Sequence, residues 1–190
     1  KEQRPHLVMW YIEEPDAIGH DATPDSSAVI DKVEELDAVL ARFFSKVNKL
    51  DIAPKIDFIV TSDHGMATFV PDKYVNLGDY LPRDSFKFVF DGVPTVLYPK
   101  PGYTDTAYEI LKKVPNITVW KKEEVPARYQ YGSNARIGDL IVLPDVGCMV
   151  QFRDKGKPWL GGAHGYDNFD PTMQAIFYAS GPSFKKNVTH

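Results

Sequence analysis

Apolar residues along this chain fall into short unbroken runs that alternate with one long stretch of helical spacing, and that alternation predicts an α/β protein. Residues 7–12, Leu-Val-Met-Trp-Tyr-Ile, form a run of strand length that Pro15 brings to a stop. Between 26 and 50, Val29, Val33, Leu36, Leu40, Phe43, Phe44 and Val47 recur at three and four, with acids early and Lys46 and Lys49 late. This predicts a long amphipathic helix whose charges suit its dipole and whose apolar stripe covers a sheet. A second apolar run, 56–61, predicts a short buried strand ending at Asp63-His64-Gly65. Strand, helix and strand in that order predict a right-handed crossover between parallel strands. The residues just past each strand should then emerge on one edge of a mostly parallel sheet flanked by helices, where ligands of open α/β sheets collect.

Farther on, residues 86–90 and 95–98 read as a hairpin turning at Asp91-Gly92. Residues 104–114 place Ala107, Ile110, Leu111 and Val114 on one helical face, and 117–120, 139–143, 148–152 and 175–179 read as strands. The middle stretch up to residue 120 offers no catalytic constellation, and a loop from 128 to 138 leads to the late strands.

At 190 residues, 43% hydrophobic and 25% charged, the chain has ordinary globular composition and enough length for one sizeable core. A net charge of -4, with Lys and Arg clustered no further than pairs, leaves no electrostatic footprint for DNA or RNA. No apolar run approaches the length of a membrane span. Cys148 is the one cysteine, so a metal would have to be held by Asp, Glu and His. With apolar neighbours and no histidine nearby in sequence, it reads as a small buried hydrophobe. Asn116-Ile117-Thr118 and Asn187-Val188-Thr189 are sequons that matter only on a secretory route.

Three of the five histidines stand in suggestive company. Asp16 and His20 lie four apart, the spacing that puts two side chains on one face of a helical turn. Asp63 and His64 follow a strand, and Gly65 permits the turn that would let both approach one cation such as zinc. His164 sits among glycines at Gly161-Gly162-Ala163-His164-Gly165-Tyr166-Asp167-Asn168, a composition that suits a binding loop with an exposed imidazole. Each group also has a plainer reading: an acid capping the next element, a surface imidazole, a glycine turn.

Glu14-Pro15-Asp16 through Gly19-His20, then Thr61-Ser62-Asp63-His64-Gly65-Met66, then Ala163-His164-Gly165-Tyr166-Asp167-Asn168 resemble the nucleotide pyrophosphatase/phosphodiesterase family of the alkaline phosphatase superfamily. Met173-Gln174-Ala175-Ile176-Phe177, Gly181-Pro182-Ser183-Phe184-Lys185 and the Arg136-Ile137-Gly138-Asp139 approach to a late strand extend the match from end to end, in order. The resemblance implies an alkaline-phosphatase-like α/β core and a two-zinc site. Asp16, His20 and His164 would hold one zinc, and Asp63 and His64 part of the other. Tyr11 would line the leaving-group or base pocket, or else simply pack in the core. Tyr166, Asp167 and Asn168 would form the loop and orient His164. The implied reaction is hydrolysis of phosphodiester or pyrophosphate bonds in nucleotide-type small molecules through a phosphothreonyl intermediate. A sulfatase-like or phosphonate hydrolase of the same superfamily and a non-catalytic nucleotide-binding module are the rivals.

The chain departs from the family at Thr23, where members typically carry glycine before the next proline. The family's nucleophilic threonine and a further zinc-binding aspartate would lie upstream of the first motif. Thr61 in the buried strand and Thr68 beyond the ligand pair are not their substitutes. Residues 1–190 are therefore expected to be the carboxyl-terminal part of one catalytic domain, its core incomplete at the N-terminus, with a companion chain as one way to supply the missing segment. The family implies an extracytoplasmic setting, whether periplasmic, cell-surface or secreted, and the single cysteine favours a bacterial envelope over a disulfide-rich pathway.

Overall fold

The computed structural model describes residues 5–153, 155, 157–158, 160–186 and 188–189; the sequon at Asn187 lies outside them. Two helices open the described chain, α1 (Asp16–Ala22) and α2 (Ser27–Val47). Ser26 caps α2 by accepting a hydrogen bond from the Val29 amide at 3.3 Å, which satisfies one of the free amides of the first turn. Phe43 and Phe44 of α2 set their edges against Phe58 at centroid distances of 6.3 and 5.0 Å. Phe58 opens β1 (Phe58–Thr61), so the amphipathic stripe meets the strand as its spacing predicts.

The strands that follow are β2 (Ala67–Thr68), β3 (Tyr74–Asn76), β4 (Phe86–Phe90) and β5 (Thr95–Pro99). Then come α3 (Thr104–Leu111), β6 (Ile117–Lys121), β7 (Leu140–Pro144), β8 (Met149–Gln151), β9 (Gly162–Ala163) and β10 (Phe177–Ser180). The hairpin, the helix after it and the late strands fall where the apolar pattern puts them. Strands β4, β5, β7 and β6 make one antiparallel sheet in that order. Its inner face joins α3 and the residues around β3 and β8 in the main core, where Leu77, Leu97, Leu111, Leu140 and Val142 are fully buried. Cys148 is buried in the same core, and its thiol is pushed up to about 11, chiefly by that burial.

Three expectations about the early strands need correction. Residues 7–12 form no strand, because no edge among the described residues pairs with them; their apolar side chains are exposed, and the Trp10 ring meets that of Phe43 edge-on at 5.5 Å. The parallel crossover is therefore absent, and β1 instead pairs antiparallel with β10. Pairing is mixed rather than mostly parallel: β3 with β8 is the parallel pair among the described residues. Nor is β1 buried on both faces, since Ile59 and Thr61 are exposed while Phe58 and Val60 are half-covered.

A second, smaller core made of Ala67, Phe69, Met149, Ala163, Tyr166 and Met173 lies under the segment that carries His164. Two backbone details shape this region. A Cβ on Gly162 would lie 2.7 Å from the Gly19 carbonyl oxygen, so glycine is what lets α1 rest on β9. Gly165 has φ 97°, and a Cβ there would meet the Val93 carbonyl oxygen at 2.1 Å.

Thr23 closes α1 at φ 79° and ψ 145°. A residue with a side chain held there stores strain of about 1–3 kcal/mol. Thr23→Gly relieves it against an added unfolded-state entropy of about 0.4–1 kcal/mol. The substitution is expected to stabilise the fold by roughly 0.5–2 kcal/mol in urea unfolding. A loss of stability would show that Thr23 is not held in that conformation.

Candidate metal centre

Three segments distant in sequence meet at His164. Helix α1 presents Asp16 and His20 one turn apart, the loop after β1 brings Asp63 and His64, and the residue after β9 is His164. Asp16 is the first residue inside α1 rather than its cap, and no helix follows Asp63 for it to cap. The placement of His164 follows from β9 pairing with β2, which itself follows the Asp63-His64 turn.

Donor atoms of Asp16, His20 and His164 lie within 4.8 Å of one another. Asp16 Oδ2 is 3.5 Å from His20 Nε2, and Asp16 Oδ1 is 3.5 Å from His164 Nε2. These separations are too long for good hydrogen bonds. They match the edge of a tetrahedron whose centre lies about 2.0–2.1 Å from each ligand, about 3.3 Å. Asp63 Oδ2 and His64 Nε2 stand 3.6 Å apart in the same manner. The two groups join where the His64 and His164 rings stack at 3.5 Å, only 13° from parallel.

Tautomers follow from the other ring nitrogens. His20 Nδ1 lies 2.8 Å from the Gly162 carbonyl and His64 Nδ1 2.9 Å from the Gly65 carbonyl. A carbonyl only accepts, so each Nδ1 carries the hydrogen and each Nε2 turns a lone pair toward a carboxylate. Lone pair facing carboxylate is repulsive unless a cation, or a proton, sits between them. Burial lowers the pKa of His164, the nearby His64 lowers it further, and Asp16 partly opposes the shift. The neutral imidazole that a metal requires is thus the favoured form. Asp16 Oδ1 is buried without a hydrogen-bond partner, a costly state that a bound cation removes. The donor set therefore fits a metal ion.

Other predicted residues behave differently. His164 is half-buried rather than exposed, because its ring is stacked on His64. Tyr166 donates its hydroxyl to the Cys148 carbonyl at 3.1 Å, while Asp167 and Asn168 accept from Arg128 at 2.7 and 3.0 Å. Their hydrogen bonds anchor the loop instead of running to the His164 ring. Arg128 stood out neither by spacing nor by neighbours, being one cation in an irregular loop. Tyr11 lies on the exposed 7–12 segment, and Thr61, exposed rather than buried, donates its hydroxyl to the Ile176 carbonyl at 2.9 Å.

The family model described as type I phosphodiesterase / nucleotide pyrophosphatase matches residues 1–167. Human ectonucleotide pyrophosphatase/phosphodiesterase family member 5 is 36% identical over 185 residues, which are 97% of this chain and 39% of that protein. A bis(5'-adenosyl)-triphosphatase of Xenopus laevis is 33% identical, over 96% of this chain and 40% of its own length. The chain thus spans about two fifths of the length of these curated relatives. The solved structure of human family member 5 superposes with a TM-score of 0.85 at 35% identity, covering 92% of this chain and 46% of that one. The murine counterpart, an inactive Thr-to-Ala variant in complex with AMP, gives a TM-score of 0.84 at 34% identity over 92% of this chain and 46% of its own. An alkaline-phosphatase-like α/β architecture, as the motifs imply, is borne out. By matched length, motif order and fold together, the chain belongs to the type I phosphodiesterase / nucleotide pyrophosphatase family.

Proposed function

We propose that this chain supplies part of the catalytic domain of a two-zinc hydrolase that cleaves phosphodiester or pyrophosphate bonds in nucleotide-type substrates. The observation that carries the reading is the buried, unpartnered oxygen of Asp16 facing His164 Nε2, with the lone pair of His20 turned to the same carboxylate. In this reading Asp16, His20 and His164 hold one zinc, and Asp63 and His64 contribute to the other. Three protein donors with a position left open is the pattern of a catalytic zinc. When bound, such a pair of ions neutralises charge on the transferring phosphoryl group and clamps the attacking and leaving oxygens of an in-line displacement.

The chain's own residues then have defined tasks. The carbonyls of Gly162 and Gly65 hold His20 and His64 in the ligating tautomer. Burial of His164 disfavours the protonated form of its ring. Tyr11, 81% exposed and just ahead of Asp16, offers an aromatic face to a leaving group or base. In this reading the nucleophilic threonine and a further aspartate come from a segment outside these 190 residues, in the same protein or as a companion chain. The Thr-to-Ala change in the inactive murine relative supports a threonine in that role. The exposed apolar residues of 7–12, β1 and β10 offer that segment a face. An extracytoplasmic setting is supported by the ectonucleotide names of the relatives, and fractionation of cells making the full-length protein tests it.

Three outcomes are expected. In the full-length protein, His164→Ala should lower kcat/KM on a phosphate diester by about 10²–10³, corresponding to several kcal/mol of lost charge stabilisation. Chelation should do the same, reversibly with zinc. Preference for phosphate monoesters or sulfate esters would contradict the reading. The isolated 190-residue chain should show no turnover, and turnover abolished by His164→Ala would place the nucleophile within it. For pH, the folded state disfavours protonated His164, so the unfolded chain binds more protons below the ordinary value of 6.5. Both fold stability and zinc affinity should therefore hold steady above that value and fall as pH drops below it; zinc affinity rising on acidification would contradict the assignment.

A further inference from the structure

His164 is carried by a loop that is tied down at its two ends and by Tyr166, whose ring is buried and whose hydroxyl donates to the Cys148 carbonyl at 3.1 Å. At the near end β9 pairs with β2, and the Gly161 carbonyl accepts from the Phe69 amide at 2.9 Å. At the far end the Met173 carbonyl accepts from the Gly65 amide at 3.1 Å. Between them the loop and the segment that follows β6 both line a cavity of about 260 Å³, the first through Gly165 and Tyr166 and the second through Val125, Tyr129 and Tyr131. A cavity of that size leaves the seam beyond Tyr166 unclosed by packing, so the turn at 167–169 depends on polar contacts.

A polar clamp spans the seam. Arg128 Nη1 donates to Asp167 Oδ1 at 2.7 Å and to Asn168 Oδ1 at 3.0 Å, while Nη2 donates to Asp167 Oδ2 and to the Tyr129 hydroxyl. This is the two-pronged pairing that a guanidinium makes with a carboxylate and an ammonium cannot. The guanidinium also lies over the rings of Tyr129 and Phe169, at 4.0 and 4.6 Å from their centroids. Asp167 in turn organises the turn after His164: its carboxylate accepts from the Phe169 amide and its carbonyl from the Asp170 amide, both at 3.0 Å.

We infer that Arg128 is a positioning residue for the metal centre: by gripping Asp167 it holds the loop so that His164 Nε2 faces Asp16. The inference rests on the reading of Asp16, His20 and His164 as zinc ligands. It makes a prediction opposite in sign to simple electrostatics. Loss of a positive charge from the segment that grips this loop cannot weaken zinc by electrostatics, whereas loss of positioning loosens it.

The test is zinc affinity of the full-length protein, measured by competition with a chromophoric chelator, beside thermal unfolding of the metal-free form. Arg128→Ala should weaken zinc about tenfold, the low end of what outer contacts of a ligand contribute. The metal-free unfolding temperature should change little, since half-exposed ion pairs add little stability. Arg128→Lys keeps the charge without the fork and should still lose several-fold, and Arg128→Ala with Asp167→Asn together should lose no more than Arg128→Ala alone. Added zinc should restore turnover of Arg128→Ala with KM unchanged. Unchanged or tighter zinc in Arg128→Ala, with His164→Ala still weakening it, overturns the inference and leaves the metal reading standing. Unchanged zinc in His164→Ala overturns both. If Arg128→Ala fails to fold, Arg128→Lys and Asp167→Asn carry the same decision.

Discussion

The closeness with which helix α1 lies on β9 is the constraint on which the site depends. Gly162 has no side chain to keep the Gly19 carbonyl away, and that approach puts the Gly162 carbonyl 2.8 Å from His20 Nδ1. One hydrogen bond thereby sets both the place of the helix and the tautomer of a metal-facing imidazole. Because β9 pairs with β2, the same contact draws the Asp63-His64 turn toward α1 and lays His64 on His164. Any side chain at Gly162 would disturb all of these at once.

The chain divides physically into a well-buried half and an open one. The sheet of β4, β5, β7 and β6, with α3 against it, encloses fully buried leucines and forms the rigid platform from which the Arg128 segment reaches toward the metal loop. On the other side, 7–12, Ile59, Ile176, Phe177 and Tyr178 present apolar surface to solvent. Such surface is what the proposed upstream segment would cover. This fits a chain that spans 39% of the length of its human relative. The metal centre lies on the open half, where the proposed upstream segment would close it.

What the sequence revealed was mostly local. The four-residue spacing of Asp16 and His20 implies a shared helical face, and the structure has it, because that geometry depends on nothing distant. The hairpin at 86–98 and helix α3 are legible for the same reason. Residues 7–12 carry a pattern as strand-like as that of Phe58–Thr61, yet only the latter finds a partner, in β10 from the far end of the chain. Strand direction also escapes periodicity, which is why an expected parallel crossover gives way to an antiparallel pair. Strand β9, only Gly162 and Ala163, has no periodicity to detect, although it places His164. Arg128 was invisible because its partner Asp167 is distant in sequence, and nothing in either segment names the other.

The central claim is that Asp16, His20 and His164 converge on one metal ion. Anomalous scattering at the zinc edge from crystals of the full-length protein tests it most directly. The account predicts a peak about 2.0–2.2 Å from an Asp16 carboxylate oxygen and from Nε2 of both His20 and His164. With zinc bound elsewhere in the crystal, the absence of a peak among those three side chains would contradict it.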